Sequence, residues 1–399
     1  MRLFVVDDAA KIQKSYDDLL HDINVKRFEF FNEIQPSNIY ETFLNLIISI
    51  LFEKEVGFAL KEEPSEKTTN YSIIENTYKF SDIDSVIEKV MQAQQWKLIL
   101  HTSGTTGIPK KVSHSFHSIT KNIKISAQRS EDVWALAFNP RHMAGLQVFF
   151  QAFLNKNTLV NCFGLPKESI FKSIDKYNIS HFSATPTFYK LLLPCSEKFE
   201  SVKQITFGGE KFSDTLKVQL EKIFPSAKFN NIYASTEAGS LFSSYGNYFS
   251  VPENIEQFVK IINNELWIHK NLLANTKDFT LYDAWYPTGD IISVISENPV
   301  TFTFISRKNE MINVGGNKVN PHEVEEVILQ LPGINDVRVF GKSNSLMGNV
   351  LCAEIVSNGI SEKEIKSFVK LQLPEYKVPR IIKFVSNIHQ TETGKKSRR

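Results

Sequence analysis

Leu98-Ile-Leu-His-Thr-Ser-Gly-Thr-Thr-Gly-Ile-Pro-Lys110 joins a short apolar run to a loop rich in hydroxyl groups. The apolar run is typical of a buried strand. The loop combines its hydroxyls with one lysine and two glycines, which let backbone N–H groups approach a ligand closely, so it could hold a polyphosphate. It is not a Walker A loop, because Gly104 and Gly107 lie too close together and no Gly-Lys-Ser/Thr follows. A flexible turn would have the same composition, so this stretch alone leaves both interpretations open.

Outward from this loop, short apolar runs alternate with amphipathic stretches. The alternation predicts an α/β fold with a largely parallel sheet. The predicted elements include strands at Trp96–Leu100 and Val133–Phe138 and helices near 114–128 and 145–154. Open α/β sheets bind ligands beyond the carboxyl ends of their strands. We therefore expect a site in loops such as Gly208-Gly209, after Ile205–Phe207, and Ser235-Thr236-Glu237, after Ile232-Tyr233.

The first 95 residues show no recognisable chemistry and are expected to be mostly helical. One helix is predicted from the spacing of Tyr16, Leu19, Leu20 and Ile23. The apolar stretch Phe43–Phe52, at about ten residues, is too short for a membrane span and predicts a buried helix. Because the only apolar run near the N-terminus is Leu3–Val6, no signal peptide is expected.

Size and composition favour a globular protein of two or more domains. The 399 residues are 42% hydrophobic and 23% charged, and 46 basic against 44 acidic side chains give a net charge of only +2. Such a balance provides no global field for nucleic acid or an anionic membrane, so neither partner is expected. Three widely spaced cysteines argue against a disulfide framework or a zinc site. A cytoplasmic protein is expected, whereas the oligomeric state is hidden from the sequence.

After Arg307 the sequence has the character of a compact α+β unit. Asn320-Pro-His-Glu323 predicts an N-cap, a proline at the first helical position and a reciprocal glutamate, with a helix through Leu331. Ser361-Glu-Lys-Glu364 predicts a second capping box and a helix ending near Leu373. Strands are expected at Asp336–Phe340, Val350–Val356 and Arg380–Val385. We therefore predict a large N-terminal α/β domain, residues 1–306, with parallel-rich sheets and helices, and a small mobile α+β domain, residues 307–399.

Several motifs in a fixed order resemble the adenylate-forming superfamily, which includes acyl-CoA and aryl-CoA synthetases, peptide-synthetase adenylation domains and luciferases. Thr102–Lys110 resembles the phosphate-loop signature of that family, and the matches extend over residues 98–399. The further motifs are Tyr233-Ala-Ser-Thr-Glu237, Trp285-Tyr-Pro-Thr-Gly-Asp290, Ser306-Arg-Lys-Asn309, Val314–Glu325, Leu373–Pro379 and Thr391-Glu-Thr-Gly-Lys395. The short region before the phosphate loop is similar to that of compact members such as o-succinylbenzoate–CoA ligases.

The resemblance implies a role for each matching residue. The phosphate loop would hold the β- and γ-phosphates of ATP, Glu237 would hold Mg²⁺ and Thr236 would donate to the α-phosphate. Tyr233 would stack on adenine and Asn231 would offer its amide to the base edge. Asp290 would accept the ribose hydroxyls, assisted by Arg307, and Lys395 would stabilise charge in the adenylation transition state. The full predicted nucleotide set is Thr102, Ser103, Gly104, Thr105, Thr106, Gly107, Lys110, Gly208, Gly209, Glu210, Asn231, Tyr233, Ala234, Asp290, Arg307 and Lys318.

The resemblance also implies an acid pocket and a mobile hinge. His142, Gly145, Phe182 and Gly208 would line the acid pocket, although a histidine at 142 could equally be a hydrogen-bonded core residue. No carboxylate lies between Val133 and Leu154, which argues against an α-amino acid substrate. Rotation about Arg307–Met311, with Asn309 at the hinge, would bring Gly315 and Gly316 to line a thiol passage.

The expected activity is ATP-dependent formation of an acyl-adenylate and pyrophosphate, followed by acyl transfer to the thiol of CoA. Two alternatives remain open at this point. The enzyme could load the phosphopantetheine of a carrier protein, or the chain could be a nucleotide-binding regulator with reduced catalysis. The second alternative is motivated by departures from the family pattern, which are Ala234 for glycine, Pro287 for arginine, Ser306 for glycine, Asn309 for aspartate and Asn313 for lysine.

Overall fold

Two compact units make up the chain. The computed structural model describes residues 2–35, 38–59, 71–102, 110–274, 279–344 and 348–388, with the backbone alone described at residues 102, 110, 344 and 348. The first unit comprises residues 1–258 and 268–286, and the second comprises residues 259–267 and 287–399. By contacts, residues 287–306 therefore belong with the C-terminal region. The predicted division at 306/307 concerns which segment rotates, and it stays a prediction.

The first unit is built on an eight-stranded sheet whose six central strands are parallel, as predicted. An antiparallel strand closes each edge. The order across the sheet is Gly239–Ser244, Lys228–Ser235, Gln204–Gly208, His181–Ala184, Val133–Leu136, Thr158–Asn161, Leu3–Asp7 and Ile12–Ser15. The strand Leu3–Asp7 lies within this sheet, so the N-terminal region is part of its framework.

Two smaller sheets complete the strands of this unit. One pairs Arg27–Phe31 with Tyr71–Glu75. The other has the order Glu33–Ile34, Val56–Phe58, Lys97–Thr102 and Lys110–Ser115, and a short strand lies at Tyr248–Ser250.

Helices accompany these sheets, and the first three begin with side-chain caps. Ser15 and Asp18 form a capping box, and Asn38 and Asp82 cap the next two helices. The α-helices are Tyr16–Ile23, Ile39–Leu51, Ile83–Met91, Phe116–Thr120, Met143–Leu154, Lys167–Tyr177, Pro186–Leu191 and Asp214–Ile223. The 3₁₀ turns are Ala127–Arg129, Glu253–Phe258 and Lys270–Leu272.

Aromatic packing fixes the core of the first unit. Phe43 stacks on Phe149 with ring centroids 4.0 Å apart, and Phe4 packs edge-on against Phe149 and Phe153. These contacts join the N-terminal region to the helix Met143–Leu154. The predicted buried helix at Phe43–Phe52 and the predicted helix at Tyr16–Ile23 are both confirmed. In the described part of the chain, none of the helices has the length and apolar character needed to cross a bilayer.

Two predictions for the first unit are wrong. The described part of residues 1–95 is not mostly helical, because six strands accompany three helices there. Instead of a helix near 114–128, Lys110–Ser115 forms a strand and only Phe116–Thr120 is α-helical. The reason is that Val112 and His114 are buried on one face of the strand while Lys111 and Ser113 alternate with them, which is a period of two residues. Ser115 then caps the short helix by accepting from the Ser118 N–H.

The second unit contains two antiparallel-rich sheets. One consists mainly of Val259–Ile262, Glu265–His269, Trp285–Glu297 and Val300–Arg307. The other has the order Asn317–Val319, Ile312–Val314, Gly348–Ser357 and Ile334–Asn344, with Ile381–Phe384 pairing in parallel with Gly348–Ser357. Its α-helices are Pro321–Ile328 and Glu362–Gln372, with a 3₁₀ turn at Glu375–Lys377.

Two capping boxes were predicted for these helices, and only the second is confirmed. Ser361 and Glu364 form the predicted capping box. Asn320 caps the first helix and Pro321 occupies its first turn, as predicted, but Glu323 does not reciprocate. Its carboxylate accepts from Lys377 Nζ at 2.7 and 2.6 Å, because a charged partner competes with the neutral cap N–H. This helix ends at Ile328, three residues before the predicted end.

Candidate active site

The phosphate loop connects two strands of a hairpin. Lys97–Thr102 and Lys110–Ser115 pair antiparallel, and Thr102 is the register partner of Lys110. Both ends of the loop are therefore held at one point of a sheet. The loop residues Ser103, Gly104, Thr105, Thr106 and Gly107 lie outside the described residues, as do the side chains of Thr102 and Lys110.

The strand Lys110–Ser115, which follows this loop, contacts the turn at Thr236–Gly239, where Glu237 is predicted to hold Mg²⁺. His114 is 1% exposed, its Nδ1 lies 3.3 Å from Ser118 Oγ, and its ring interacts with the backbone of Thr236. Nε2 has no partner with full hydrogen-bond geometry among the described residues, so the Thr236 contact is a close approach rather than an ideal hydrogen bond. Burial lowers the pKa of His114 to about 4, so the ring is neutral at pH 7. The strand that follows the phosphate loop therefore passes beside the Thr236–Gly239 turn.

The turn at Thr236–Gly239 is held by its backbone, which leaves the Thr236 and Glu237 side chains half-buried. The Glu237 carbonyl accepts from the Ala274 N–H at 2.8 Å, and Ala238 N–H donates to Ser235 Oγ at 3.2 Å. Gly239 has φ +68°, a left-handed conformation that suits glycine. The described residues contain no cluster of three or more His, Cys, Asp or Glu side chains that could hold a metal ion.

The residues predicted to hold adenine lie on neighbouring strands. Gly208 is the register partner of Ile232, next to Tyr233. Tyr233 is half-buried, with its ring centroid 5.5 Å from that of Phe242. Asn231 is buried and its Nδ2 donates to the Gly246 carbonyl at 2.9 Å, so this amide also braces the adjacent hairpin. Ala234 continues the same strand.

The Gly208-Gly209-Glu210 turn follows its strand as expected. Gly208 borders open space, because an added Cβ would meet nothing closer than 4.0 Å. Gly209 has φ +81° and is exposed. Glu210 Oε2 accepts from the Thr187 N–H at 2.9 Å, at the start of the helix Pro186–Leu191. The glutamate therefore ties this turn to a neighbouring helix.

The predicted acid-pocket residues do not all face a ligand. His142 is half-buried and precedes the helix Met143–Leu154, whose N-terminus has no side-chain cap. Gly145 has a packing role, because an added Cβ would lie 2.2 Å from the Asn139 carbonyl oxygen. Phe182 is fully buried in the hydrophobic core, where its ring packs against Phe224. Core packing accounts for Phe182 and Gly145, and an acid-binding role for His142 and Gly208 stays a prediction.

The predicted ribose residues lie in the second unit. Asp290 is 2% exposed, and Arg307 Nε lies 2.9 Å from its Oδ1. The two residues are register partners in a strand ladder. Glu265, which sequence reasoning missed, binds both the Gly289 N–H and Lys308 Nζ at 3.0 Å. A signal was present in the sequence, because Glu265 precedes Leu-Trp-Ile in a strand-like run where a carboxylate needs partners.

The remaining predicted residues of this unit occupy turns and an exposed strand. Asn309 lies in the turn after Val300–Arg307. Gly315 and Gly316, with φ +56° and +87°, form the turn before Asn317–Val319. Lys318 is exposed on that strand, and Lys395 lies outside the described residues.

A family model described as AMP-binding enzyme matches residues 47–260, more than half of the chain. The chain belongs to the AMP-binding enzyme family. A model of the C-terminal domain of AMP-binding enzymes matches residues 323–395. The predicted family resemblance is therefore confirmed.

Named relatives of this AMP-binding enzyme are CoA ligases. A 2-succinylbenzoate–CoA ligase of Staphylococcus epidermidis is 26% identical over 359 residues, which cover 81% of this chain and 74% of the relative. An oxalate–CoA ligase of Arabidopsis thaliana is 28% identical over 365 residues, which cover 80% of this chain and 69% of the relative.

Solved structures share the fold of this AMP-binding enzyme. The o-succinylbenzoate CoA synthetase of Bacillus subtilis, in complex with ATP and magnesium ion, has a TM-score of 0.67 at 18% identity and covers 100% of this chain and 96% of that structure. ATP-bound MatB of Rhodopseudomonas palustris has a TM-score of 0.72 at 15% identity and covers 99% of this chain and 94% of that structure. The predicted α/β fold class is thus confirmed.

Proposed function

We propose that this AMP-binding enzyme is a carboxylic acid–CoA ligase. In the first half-reaction a carboxylate oxygen bonds to the α-phosphorus of ATP while the bond to the pyrophosphate oxygen breaks. In the second, a thiol sulfur bonds to the acyl carbon, AMP leaves with the electron pair of the acyl–oxygen bond, and the thiol proton is released. Adenylation is needed because the charge of a free carboxylate repels a nucleophile and its oxygen is a poor leaving group.

One contact carries this proposal. The strand that returns from the phosphate loop places His114 against the backbone of Thr236. This strand follows the predicted phosphate loop, and the Thr236-Glu237 turn lies at the carboxyl end of a parallel strand, in the position where open α/β sheets bind ligands. The two relatives named above are both acid–CoA ligases, which favours the same chemistry here.

The residues of the first unit would orient the triphosphate. Residues 102–110 would surround the β- and γ-phosphates with backbone N–H groups, hydroxyls and the Lys110 ammonium. Thr236 would donate to the α-phosphate and Glu237 would hold Mg²⁺, whose charge offsets that of the phosphates. Tyr233 would stack on adenine and Asn231 would use its remaining amide hydrogen at the base edge.

The residues of the second unit would orient the ribose and the reacting groups. Asp290 would accept the ribose hydroxyls while Arg307 orients its carboxylate through the 2.9 Å ion pair. Lys395 would neutralise charge at the α-phosphate and the incoming carboxylate. Rotation about Arg307–Met311 would then exchange Lys395 for the Gly315-Gly316 turn, beside which the thiol would approach. We place the reaction in the cytoplasm, an assignment supported by three cysteines that are all free thiols.

The class of acid that the enzyme activates is tested by measuring acid-dependent exchange between ATP and labelled pyrophosphate. The panel contains dicarboxylic acids, because two relatives are named for such acids, together with aryl, short, medium and branched monoacids. We expect exchange that requires both magnesium and one class of acid. A protein that shows no magnesium-dependent affinity for ATP would rule out the proposal.

The acceptor is tested in a second assay with the best acid. Free CoA and a pantetheinylated carrier protein are supplied separately, and mass spectrometry identifies the thioester. We expect acyl-CoA. Acylated carrier with AMP release but no acyl-CoA would identify a carrier-loading enzyme instead. Steady pyrophosphate release would dismiss a purely regulatory nucleotide-binding role.

A further inference from the structure

The buried carboxylate of Glu265 contacts the residue before Asp290 and the residue after Arg307. Glu265 is 6% exposed. Its Oε1 accepts from the Gly289 N–H at 3.0 Å, and its Oε2 accepts from Lys308 Nζ at 3.0 Å. Gly289 precedes Asp290 in the chain and Lys308 follows Arg307. One side chain thus contacts both segments of the predicted ribose site.

Backbone contacts show how closely these segments are joined. The Lys308 N–H donates to the Gly289 carbonyl at 2.7 Å. Thr288 Oγ1 donates to the Leu266 carbonyl at 2.7 Å and accepts from the Asp290 N–H at 3.1 Å. The segment Thr288–Asp290 is therefore attached to the strand that carries Glu265. Gly289 itself has φ +76°, a left-handed conformation that suits glycine, and its N–H donates to Glu265 Oε1.

Stability alone does not explain a carboxylate side chain at this position. Burying a carboxylate is costly unless it is paired. Its charged partner Lys308 keeps 62% of its side chain exposed, and ion pairs with such exposed lysines contribute little to folding. A neutral glutamine could accept from the Gly289 N–H just as well. Compared with a glutamine, the carboxylate adds an ion pair that fixes the position of Lys308.

We propose that Glu265 is a positioning residue for ribose recognition. It holds the Thr288–Asp290 segment and the Arg307-Lys308 segment at a fixed separation, so that the Asp290 carboxylate faces the 2′- and 3′-hydroxyls of ATP. Glu265 does not touch the nucleotide and acts through Asp290. This inference rests on the proposed function, because it takes Asp290 as the ribose acceptor.

The test compares ATP with 2′-deoxy-ATP and 3′-deoxy-ATP in acid-dependent pyrophosphate release. The variants are Glu265→Gln and Lys308→Met. In Glu265→Gln we expect KM for ATP to rise about tenfold with little change in kcat. The KM values for the deoxy analogues should change less. The preference for ATP over these analogues should therefore fall by a similar factor. Lys308→Met should show the same trend at roughly threefold, because the Gly289 contact remains.

A matched control comes from another half-buried pair in the same unit. Arg338 and Glu354 lie 2.6 Å apart with side chains 12% and 18% exposed, and Glu354→Gln should keep the wild-type preference for ATP over both analogues. An equal loss of preference in Glu354→Gln would overturn the inference, since it would indicate general loosening.

The two proposals fail in different ways. A wild-type enzyme that prefers ATP, with a folded Glu265→Gln that prefers it equally, overturns the positioning role alone. If Glu265→Gln does not fold, an unchanged preference in Lys308→Met overturns it. A wild-type protein without any nucleotide turnover overturns the proposed function and this inference together.

Discussion

Two buried histidines of the first unit are held in the neutral form. Burial lowers the pKa of His114 and of His181 to about 4, with nearby Lys121 contributing for the first and Arg129 and Lys203 for the second. The Asp132 carboxylate lies 3.5 Å from His181 Nε2, but burial raises the pKa of Asp132 as well, so the pair does not charge the ring. Both rings therefore favour folding only while they remain unprotonated.

Acid should destabilise the first unit through these rings. Their folded pKa lies below the unfolded value of about 6.5, so the unfolded state binds more protons between pH 6.5 and 4. Stability is complete above pH 6.5 and falls as the pH drops, by about 3 kcal/mol for each ring at the lower limit. Urea unfolding from pH 4.5 to 7.5 should show this slope.

The matched variants for this measurement are His114→Gln and His181→Gln, since glutamine does not titrate. We expect each to reduce the slope of unfolding free energy against pH. An unchanged slope in both variants would show that other groups cause the acid sensitivity.

At the scale of single residues, sequence motifs predicted which residues form the site but not what surrounds each side chain in the fold. Asp290 and Glu237 were recognisable from their motifs, and Glu265 was not, because its partners Gly289 and Lys308 are distant in the chain. Phe182 was assigned to a pocket although it faces the core. A strand has two faces, and sequence alone does not show which one meets the ligand.

Among the elements, the helix Met143–Leu154 depends on one close approach at its first turn. Gly145 lies so near the Asn139–Pro140 segment that an added Cβ would meet the Asn139 carbonyl oxygen at 2.2 Å. No flexible side chain can move aside, because the obstructing atoms belong to the backbone. Gly145→Ala is therefore expected to destabilise the first unit by about 3 kcal/mol.

Gly208→Ala provides the comparison for folding, because its nearest neighbours would be 4.0 Å from the new Cβ. Its thermal unfolding midpoint should stay near wild type while that of Gly145→Ala falls by several degrees. Equal midpoints for the two variants would contradict the packing role of Gly145.

The parallel strands were predictable because strands covered on both faces are continuous apolar runs. Ile205–Phe207 and Val133–Leu136 show this pattern. The helix predicted near 114–128 was too long, because residues 114 and 115 end the strand Lys110–Ser115 and only Phe116–Thr120 is α-helical. The decisive information is pairing of Lys110–Ser115 with a strand on the far side of the phosphate loop, and such pairing is not encoded locally.

For the molecule as a whole, the two half-reactions should separate genetically. Lys395→Ala is expected to lower acid-dependent adenylation by at least about 100-fold, because an unscreened negative charge remains in the transition state. Thioester formation from supplied acyl-adenylate should persist. Pyrophosphate release and acyl-CoA formation are measured separately on the same preparation.

Lys396→Ala is the matched control, since the adjacent lysine shares the local charge. It should keep both half-reactions. Near-normal adenylation by Lys395→Ala, or an equal defect in Lys396→Ala, would show that the catalytic lysine has been misassigned.

The path of the chain through the second unit has an evolutionary consequence. The chain enters this unit at residue 259, leaves after 267 and returns at 287. The Ile292 N–H donates to the Asn264 carbonyl at 2.8 Å, so the early piece is joined to the later one. A single crossover between two related genes at residue 287 would combine residues 259–267 from one parent with the later strands of this unit from the other. Intact inheritance of this module requires two breakpoints, so its two coding segments are expected to descend together.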